Sequence, residues 1–301
     1  MATPAGNNAE KDLAGGERVA VNGQDDLEWP CRDQEAPVAA DRVMSRGLAV
    51  GHFVRELMVE GVASFLLVFW SAVAALMQEM HGTLTFPMVC LVVALTVGFV
   101  LCWLGPAHFN PAVTATFTAF GYLSWAKLPF YVAAQLAGSV VACLSVNAVM
   151  RPREEHFYGT APMAGHSTRL PFLMELLASA VLMIVIATAA RGSNQIAGGL
   201  AIGAAVGTLG LIIGPVSGGS MNPVRTLGPA IVLGRYTSVW IYLVAPVAGM
   251  LLGALCNRVV RSSDAILAFI CGGRAGATPV PPKASNRAPT PRAAGAVASQ
   301  Q

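Results

Sequence analysis

Six long apolar stretches run along the chain, separated by shorter polar segments. A helix needs about 20 consecutive apolar residues to cross a bilayer, and each stretch comes close to that length or exceeds it. We predict spans at about 53–77, 84–103, 128–149, 170–190, 196–214 and 238–259. The pattern therefore indicates an all-α membrane protein with six transmembrane helices.

Two shorter apolar stretches begin at Pro111 and Pro223, each directly after an asparagine, Asn110 or Asn222. Asn is a good N-cap, and Pro suits the first helical position because it lacks an N–H that would otherwise have no partner. Each stretch is about half as long as a bilayer span, so we predict two half-helices. A helix N-terminus is partly positive and carries unpaired N–H donors, so at membrane depth it must face water, protein or a polar solute. This arrangement indicates a pore.

The second half of the chain repeats the first. Glu60 and Ser64 in span one match Glu175 and Ser179 in span four, with the same four-residue step on one helix face. Each repeat contains three spans, and three is an odd number, so the two copies must be inverted in the membrane. The two half-helices then enter from opposite faces and meet N-terminus to N-terminus.

Composition supports a membrane protein and excludes several other classes. Hydrophobic residues make up 54% of the chain and charged residues 12%, against about 25% charged in soluble domains. No nucleophile triad, phosphate loop or HExxH is present, and the cysteines and histidines lack metal-ligand spacing. We therefore expect no enzyme activity, no metal and no cofactor. Neither tail has the basic stripe with aromatics that indicates nucleic-acid binding.

The polar segments at both ends of the chain determine the predicted domain boundaries. We expect disordered tails at 1–50 and 262–301 around a channel domain at 51–261, and no signal peptide, since the first apolar run begins near Phe53. The positive-inside rule places both termini in the cytoplasm. The flanks on the side of the tails carry Arg42, Arg46, Lys127, Arg191, Arg258, Arg261 and Arg274, and the opposite side carries Arg151, Arg153, Arg169 and Arg235. The expected location is the plasma membrane or another cellular membrane.

The two Asn-Pro boxes carry a family resemblance. HFNPAVT at 108–114 and GGSMNPVRTLGPA at 218–230 resemble the aquaporins, or major intrinsic proteins, and are most similar to the plant nodulin-26-like group. The resemblance extends over about 52–260. The first box keeps the usual alanine, Ala112, whereas the second has Val224 where most aquaporins have alanine.

The resemblance implies a selectivity constriction that contains Arg225, whose guanidinium would donate to solutes and exclude cations. Family offsets place its other three positions at Cys90, Gly210 and Gly219. All three residues are small, and water-selective aquaporins have an aromatic residue and a histidine at two of these positions. The resemblance therefore implies a wide, polar opening. A length difference in the loop after span two would shift the first position to Val93 or Ala94.

Two interpretations are open for the carboxylates of Glu60 and Glu175. Carboxylates within membrane spans are typical of proton relays. The resemblance implies instead that each accepts hydrogen bonds from backbone N–H groups of the adjacent half-helix loop. Under that interpretation the two residues support the loops and transfer no proton.

The resemblance implies a passive channel for water and small uncharged solutes: glycerol, urea, ammonia, and the undissociated acids of boron, silicon and arsenic. As known for aquaporin-type pores, two positive helix ends and an arginine repel cations. The family forms homotetramers in the lipid bilayer, so a homotetramer is expected. The alternatives are a coupled secondary transporter, which would need further carboxylates within the spans, and a non-conducting membrane scaffold.

Overall fold

The computed structural model describes residues 42–163 and 167–270, and every regular element in these ranges is a helix. The helices are α1 (Arg42–His81), α2 (Phe86–Phe99), α3 (Pro111–Ala119), α4 (Leu128–Met150), α5 (Arg169–Ala189), α6 (Gln195–Ser217), α7 (Pro223–Leu233) and α8 (Val239–Ile270). A π-helical turn, Val100–Leu104, continues α2. Six of these helices are long and apolar enough to cross a membrane, and α3 and α7 are the two short ones. The predicted fold class is confirmed.

The two half-helices begin as the sequence predicts. Asn110 and Asn222 are N-caps with extended backbones, at φ −155° and −152°. Their side-chain oxygens accept hydrogen bonds from the N–H of Ala112 at 2.9 Å and of Val224 at 3.1 Å. Each cap therefore satisfies an N–H that would otherwise have no partner in the first turn.

Both ends of the helical region differ from the predicted tail boundaries. Residues 42–50 and 262–270 are helical, although they were expected to belong to disordered tails. Neither segment contains proline, so α1 and α8 can continue beyond their apolar parts. Residues 1–41 and 271–301 lie outside the described residues. The chain divides into two compact units at Arg258–Val259, and in the second unit Val259–Ile270 is helical.

Small residues at helix contacts let the helix backbones approach closely. A Cβ at Gly138 of α4 would lie 2.9 Å from the carbonyl carbon of Gly61 in α1. In the second half, a Cβ at Gly249 of α8 would lie 3.0 Å from the carbonyl carbon of Leu176 in α5. These two close pairs occupy matching places in the two repeats.

Candidate functional site

The loop before α3 is held by a buried carboxylate. Glu60 is 3% exposed, and its two oxygens accept hydrogen bonds from the N–H groups of His108 at 2.6 Å and Phe109 at 2.7 Å. Phe109 has a φ of 35°, a conformation that residues other than glycine rarely adopt. The two hydrogen bonds stabilise this strained turn, which costs about 1–3 kcal/mol.

The loop before α7 is built in the same way. Glu175 is fully buried and accepts hydrogen bonds from the N–H of Ser220 at 2.8 Å and of Met221 at 2.7 Å. Met221, like Phe109 in the first half, has a positive φ, 51°. The hydroxyl of Ser217 donates a third hydrogen bond, at 2.7 Å. Both carboxylates thus act on backbone donors next to a half-helix.

The two loops are joined to each other through the box asparagines. The side-chain amide of Asn110 donates to the carbonyl of Met221 at 2.9 Å, and that of Asn222 donates to the carbonyl of Phe109 at 2.8 Å. Each asparagine therefore binds the residue just before the other asparagine. This reciprocal pair holds the N-termini of α3 and α7 together.

A cavity of about 80 Å³ runs past both asparagines. About 10–15 Å³ of such volume is enough for one water molecule, so the cavity has room for several. Its walls are largely apolar, with Val97, Ile186 and Ile202 among the lining residues, and both box asparagines also line it. The other polar side chains in the lining, those of His108, Ser220 and Arg225, belong to α7 or to the loops before the half-helices.

Cys90, Gly210, Gly219 and Arg225 all line this cavity and lie close to one another. A Cβ at Gly210 would lie 4.0 Å from the sulfur of Cys90, and a Cβ at Gly219 would lie 3.3 Å from the Cα of Gly210. The guanidinium of Arg225 donates to the carbonyl of Gly219 and, at 3.3 Å, to that of Gly218. The structure thus brings Cys90 together with three residues from the second half of the chain.

The structure also separates the three candidates on α2 for the first constriction position. Cys90 lies beside Gly210. Val93 lines the same cavity about one turn further along. Ala94 instead contacts α6, where a Cβ at Gly207 would lie 2.6 Å from its own Cβ. Of the three, Cys90 is the one that lies next to Gly210.

Phe86 is a lining residue that the sequence interpretation missed. It lies one turn before Cys90 on the same face of α2 and contributes to the cavity wall. Its ring reaches α6, where a Cβ at Gly214 would lie 3.1 Å from Cε2. Its position four residues before Cys90, on the same helix face, was the sequence signal that could have identified it. The wide opening implied by the small residues therefore has an aromatic neighbour.

Among the described residues, no group of three or more His, Cys, Asp or Glu side chains is placed to hold a metal ion. The buried glutamates are instead surrounded by hydrogen-bond donors. Gln135 donates to Glu60 at 2.7 Å, in addition to the two backbone N–H groups described above. The polar groups around the cavity hold the loops in place.

Six spanning helices, two half-helices joined at their N-termini and a cavity past that junction define a membrane channel. Residues 48–257 match the family described as major intrinsic protein, and the chain belongs to that family. The class of protein expected from the Asn-Pro boxes is confirmed, and so is the absence of enzyme activity, because members of this family are channels.

Similar proteins agree with this assignment. The chain is 74% identical over 244 residues to Aquaporin NIP4-1 of Oryza sativa subsp. japonica, covering 80% of this chain and 85% of the relative. It is 37% identical over 270 residues to Aquaporin NIP1-3 of the same species, covering 84% and 93%. The X-ray structure of the aquaglyceroporin from Plasmodium falciparum superimposes with a TM-score of 0.63 at 25% identity, covering 72% of this chain and all of that one.

Proposed function

We propose that the chain forms a passive pore for water and for small uncharged solutes larger than water. The solute class is glycerol, urea, and the undissociated acids of boron, silicon and arsenic. The observation that carries the proposal is the cluster at one part of the cavity, where three small residues, Cys90, Gly210 and Gly219, line the wall together with Arg225. The aquaglyceroporin of similar fold supports a range that extends beyond water.

The asparagine amides supply hydrogen-bond donors at the centre of the pore. An Asn amide group carries two hydrogens. One hydrogen of Asn110 goes to Met221, and one of Asn222 goes to Phe109. The second hydrogen of each remains for the oxygen of a passing solute, since both side chains line the cavity. A water that accepts from both donors is oriented so that it interrupts a proton wire.

Positive charge in the pore opposes the passage of cations. The N-termini of α3 and α7 meet at the two asparagines, and each contributes a positive partial charge. Arg225 adds a full charge in the same cavity. Positive helix ends and an arginine are the known barriers of aquaporin-type pores. Neutral solutes do not meet this barrier.

The proposed constriction combines hydrogen-bond donors with room for a solute larger than water. Arg225 offers a planar set of N–H donors, and the small residues Cys90, Gly210 and Gly219 line the same cavity. A hydroxylated solute can exchange its water shell for these groups only if its carbon skeleton also fits. Phe86, next to Cys90, offers an apolar surface to that skeleton.

A coupled secondary transporter is the alternative, and the buried glutamates are its only support. Glu60 and Glu175 each use both carboxylate oxygens to accept backbone N–H hydrogen bonds. These hydrogen bonds fix the backbone of the loops before α3 and α7. The two residues therefore suit a structural role better than a proton relay. A non-conducting scaffold would not require a cavity lined by both box asparagines and Arg225.

The proposal extends to assembly and orientation. We propose a homotetramer with one pore in each subunit and with both termini in the cytoplasm, in the plasma membrane or another cellular membrane. The asymmetry of basic residues supports the orientation. Family membership supports the tetramer.

A solute panel in proteoliposomes tests the function. Purified protein should speed the entry of water, glycerol, urea and boric acid above protein-free liposomes, and uptake should stop when internal and external concentrations are equal. Imposed proton or sodium gradients should leave that endpoint unchanged. Accumulation above equilibrium that an ionophore abolishes would establish the transporter instead, and no flux of any solute would favour the scaffold.

A further inference from the structure

A chain of buried hydroxyl groups connects the loop between α4 and α5 to the second Asn-Pro box. The hydroxyl of Thr160 lies 2.6 Å from that of Thr226 in α7, which lies 2.7 Å from that of Ser220. Ser220 in turn donates to the carbonyl of Asn222 at 2.8 Å. All three hydroxyl residues are less than 5% exposed. The chain therefore runs from a surface loop to the asparagine at the centre of the pore.

Counting hydrogens gives this chain a direction. Each hydroxyl has one hydrogen, and a carbonyl can only accept. Ser220 uses its hydrogen on Asn222, so it must accept from Thr226, and Thr226 must then accept from Thr160. Thr160 is the first donor of the series. Without its hydroxyl, the oxygen of Thr226 loses the partner that supplies its hydrogen bond.

The same loop segment also lies against Gly218, one of the two glycines whose carbonyls bind Arg225. A Cβ at Gly218 would lie 3.0 Å from the nitrogen of Ala161 and 3.1 Å from the Cα of Thr160. The N–H of Met163 donates to the carbonyl of Val216 at 3.0 Å. Residues 160–163 thus pack along residues 216–218.

This contact bears on the constriction because the turn at Gly218 and Gly219 binds Arg225. Gly218 and Gly219 have φ values of 80° and 64°, and glycine is the residue with most conformational freedom. Their carbonyls accept hydrogen bonds from the guanidinium of Arg225. A displacement of these two residues would move the guanidinium as well.

The loop segment is itself anchored on the other side of Thr160. Tyr158 is buried, and its hydroxyl donates to the side-chain oxygen of Asn147 in α4 at 2.7 Å. Thr160 therefore lies between one attachment to α4 and another, at Met163, to the end of α6. A side chain between two fixed points can hold its partner in place.

We infer that Thr160 is a positioning residue for the selectivity constriction. Its hydroxyl fixes Thr226 and Ser220, and the segment that carries it supports the Gly218–Gly219 turn that binds Arg225. The loop between α4 and α5 thereby contributes to solute selectivity without touching the solute. The inference rests on the proposed function, since it concerns the passage of glycerol relative to water.

Three variants test the inference in proteoliposomes at equal protein content. Thr160→Val keeps the shape of the side chain and removes the hydroxyl, so the ratio of glycerol to water permeability should fall by about two- to tenfold, as expected for the loss of one hydrogen bond. Thr160→Ser keeps a hydroxyl and should keep the wild-type ratio. Thr118→Val is the matched control, because Thr118 is 1% exposed and its hydroxyl donates only within α3. That control should also keep the ratio.

A structural role alone would give a different result. If Thr160→Val lowers water and glycerol permeability in equal proportion, or leaves both unchanged, the positioning role is overturned. An equal change in Thr160→Ser or Thr118→Val would overturn it too. Wild-type protein that passes neither solute would instead overturn the proposed function itself.

Thr226→Val removes the other partner of the hydrogen bond between Thr160 and Thr226. This variant also tests the inference if Thr160→Val fails to reach the membrane. It should lower the glycerol-to-water ratio. Combined with Thr160→Val, it should add little, because two changes that remove one interaction are not additive. An unchanged ratio in Thr226→Val, or full additivity in the double variant, would contradict the inference.

Discussion

The side-chain amide of Asn110 donates a hydrogen bond to the backbone carbonyl of Met221, 2.9 Å away and from the other half of the chain. Met221 can present that carbonyl because its φ is 51°, and the carboxylate of Glu175 holds its N–H at 2.7 Å. The same relationship recurs between Asn222 and Phe109, with Glu60 as the support. The junction of the half-helices therefore depends on two buried carboxylates as much as on the two asparagines.

Glu175→Gln tests that dependence. Gln keeps the size of the side chain but replaces one oxygen by an NH₂ group, which would face a backbone N–H donor. One buried donor then loses its acceptor, which costs about 1–3 kcal/mol. Thermal unfolding in detergent should occur at a lower temperature than for the wild type.

Glu56→Gln is the control for this change. Glu56 pairs with Lys127 at 3.2 Å and accepts a hydrogen bond from the hydroxyl of Tyr131 at 2.9 Å. About a third of the Glu56 and Lys127 side chains is exposed, so their ion pair contributes little to stability, and glutamine keeps an oxygen that can accept from Tyr131. The melting temperature of Glu56→Gln should stay near that of the wild type. Equal shifts for Glu56→Gln and Glu175→Gln would show that the buried carboxylate has no special role in the loop.

Cys90 provides a chemical test of the lining. A small neutral thiol reagent, methyl methanethiosulfonate, adds a methylthio group to the sulfur and releases methanesulfinate. The added group narrows the space opposite Gly210, so glycerol permeability should fall more than water permeability. Cys90→Ser should be resistant, whereas Cys256→Ser should react like the wild type, because Cys256 is exposed and lies outside the cavity lining. Inhibition that persists in Cys90→Ser would place the reactive thiol elsewhere.

Val224→Ala restores the alanine that most aquaporins have in the second box. Val224 is fully buried and is not among the residues that line the cavity, and its carbonyl accepts from the hydroxyl of Ser139 at 2.7 Å. We expect a loss of about 1–3 kcal/mol of stability from the small void and an unchanged glycerol-to-water ratio. A changed ratio would show that this position takes part in selectivity.

Local signals explain which features could be predicted from the sequence. Asn-Pro pairs cap helices through their own residues, so both half-helices and their first residues were predicted. The repeat of Glu60 and Glu175 was visible because both lie on regular helices at matching places.

Other features depend on long-range contacts that leave no periodic signal. The carbonyls that receive the asparagine amides are directed by the positive φ values of Phe109 and Met221, and neither residue type predicts such a conformation. Thr160 lies in an irregular loop, and its partner Thr226 is 66 positions away. The helical extension before residue 51 was missed because the prediction began at the first sustained apolar run, near Phe53, whereas α1 already begins at Arg42.

The central claim is that Cys90, Gly210, Gly219 and Arg225 form the opening that decides which solutes pass. The most direct measurement is the permeability to water, glycerol and boric acid of Cys90→Phe/Gly210→His in proteoliposomes, beside the wild type and Val93→Phe. Bulk on two walls should block the larger solutes, while a single file of water keeps its hydrogen bonds to Arg225. Glycerol and boric acid permeability should therefore fall far more than water permeability. Unchanged glycerol permeability in the double variant, or a block produced by Val93→Phe alone, would contradict the assignment of this constriction.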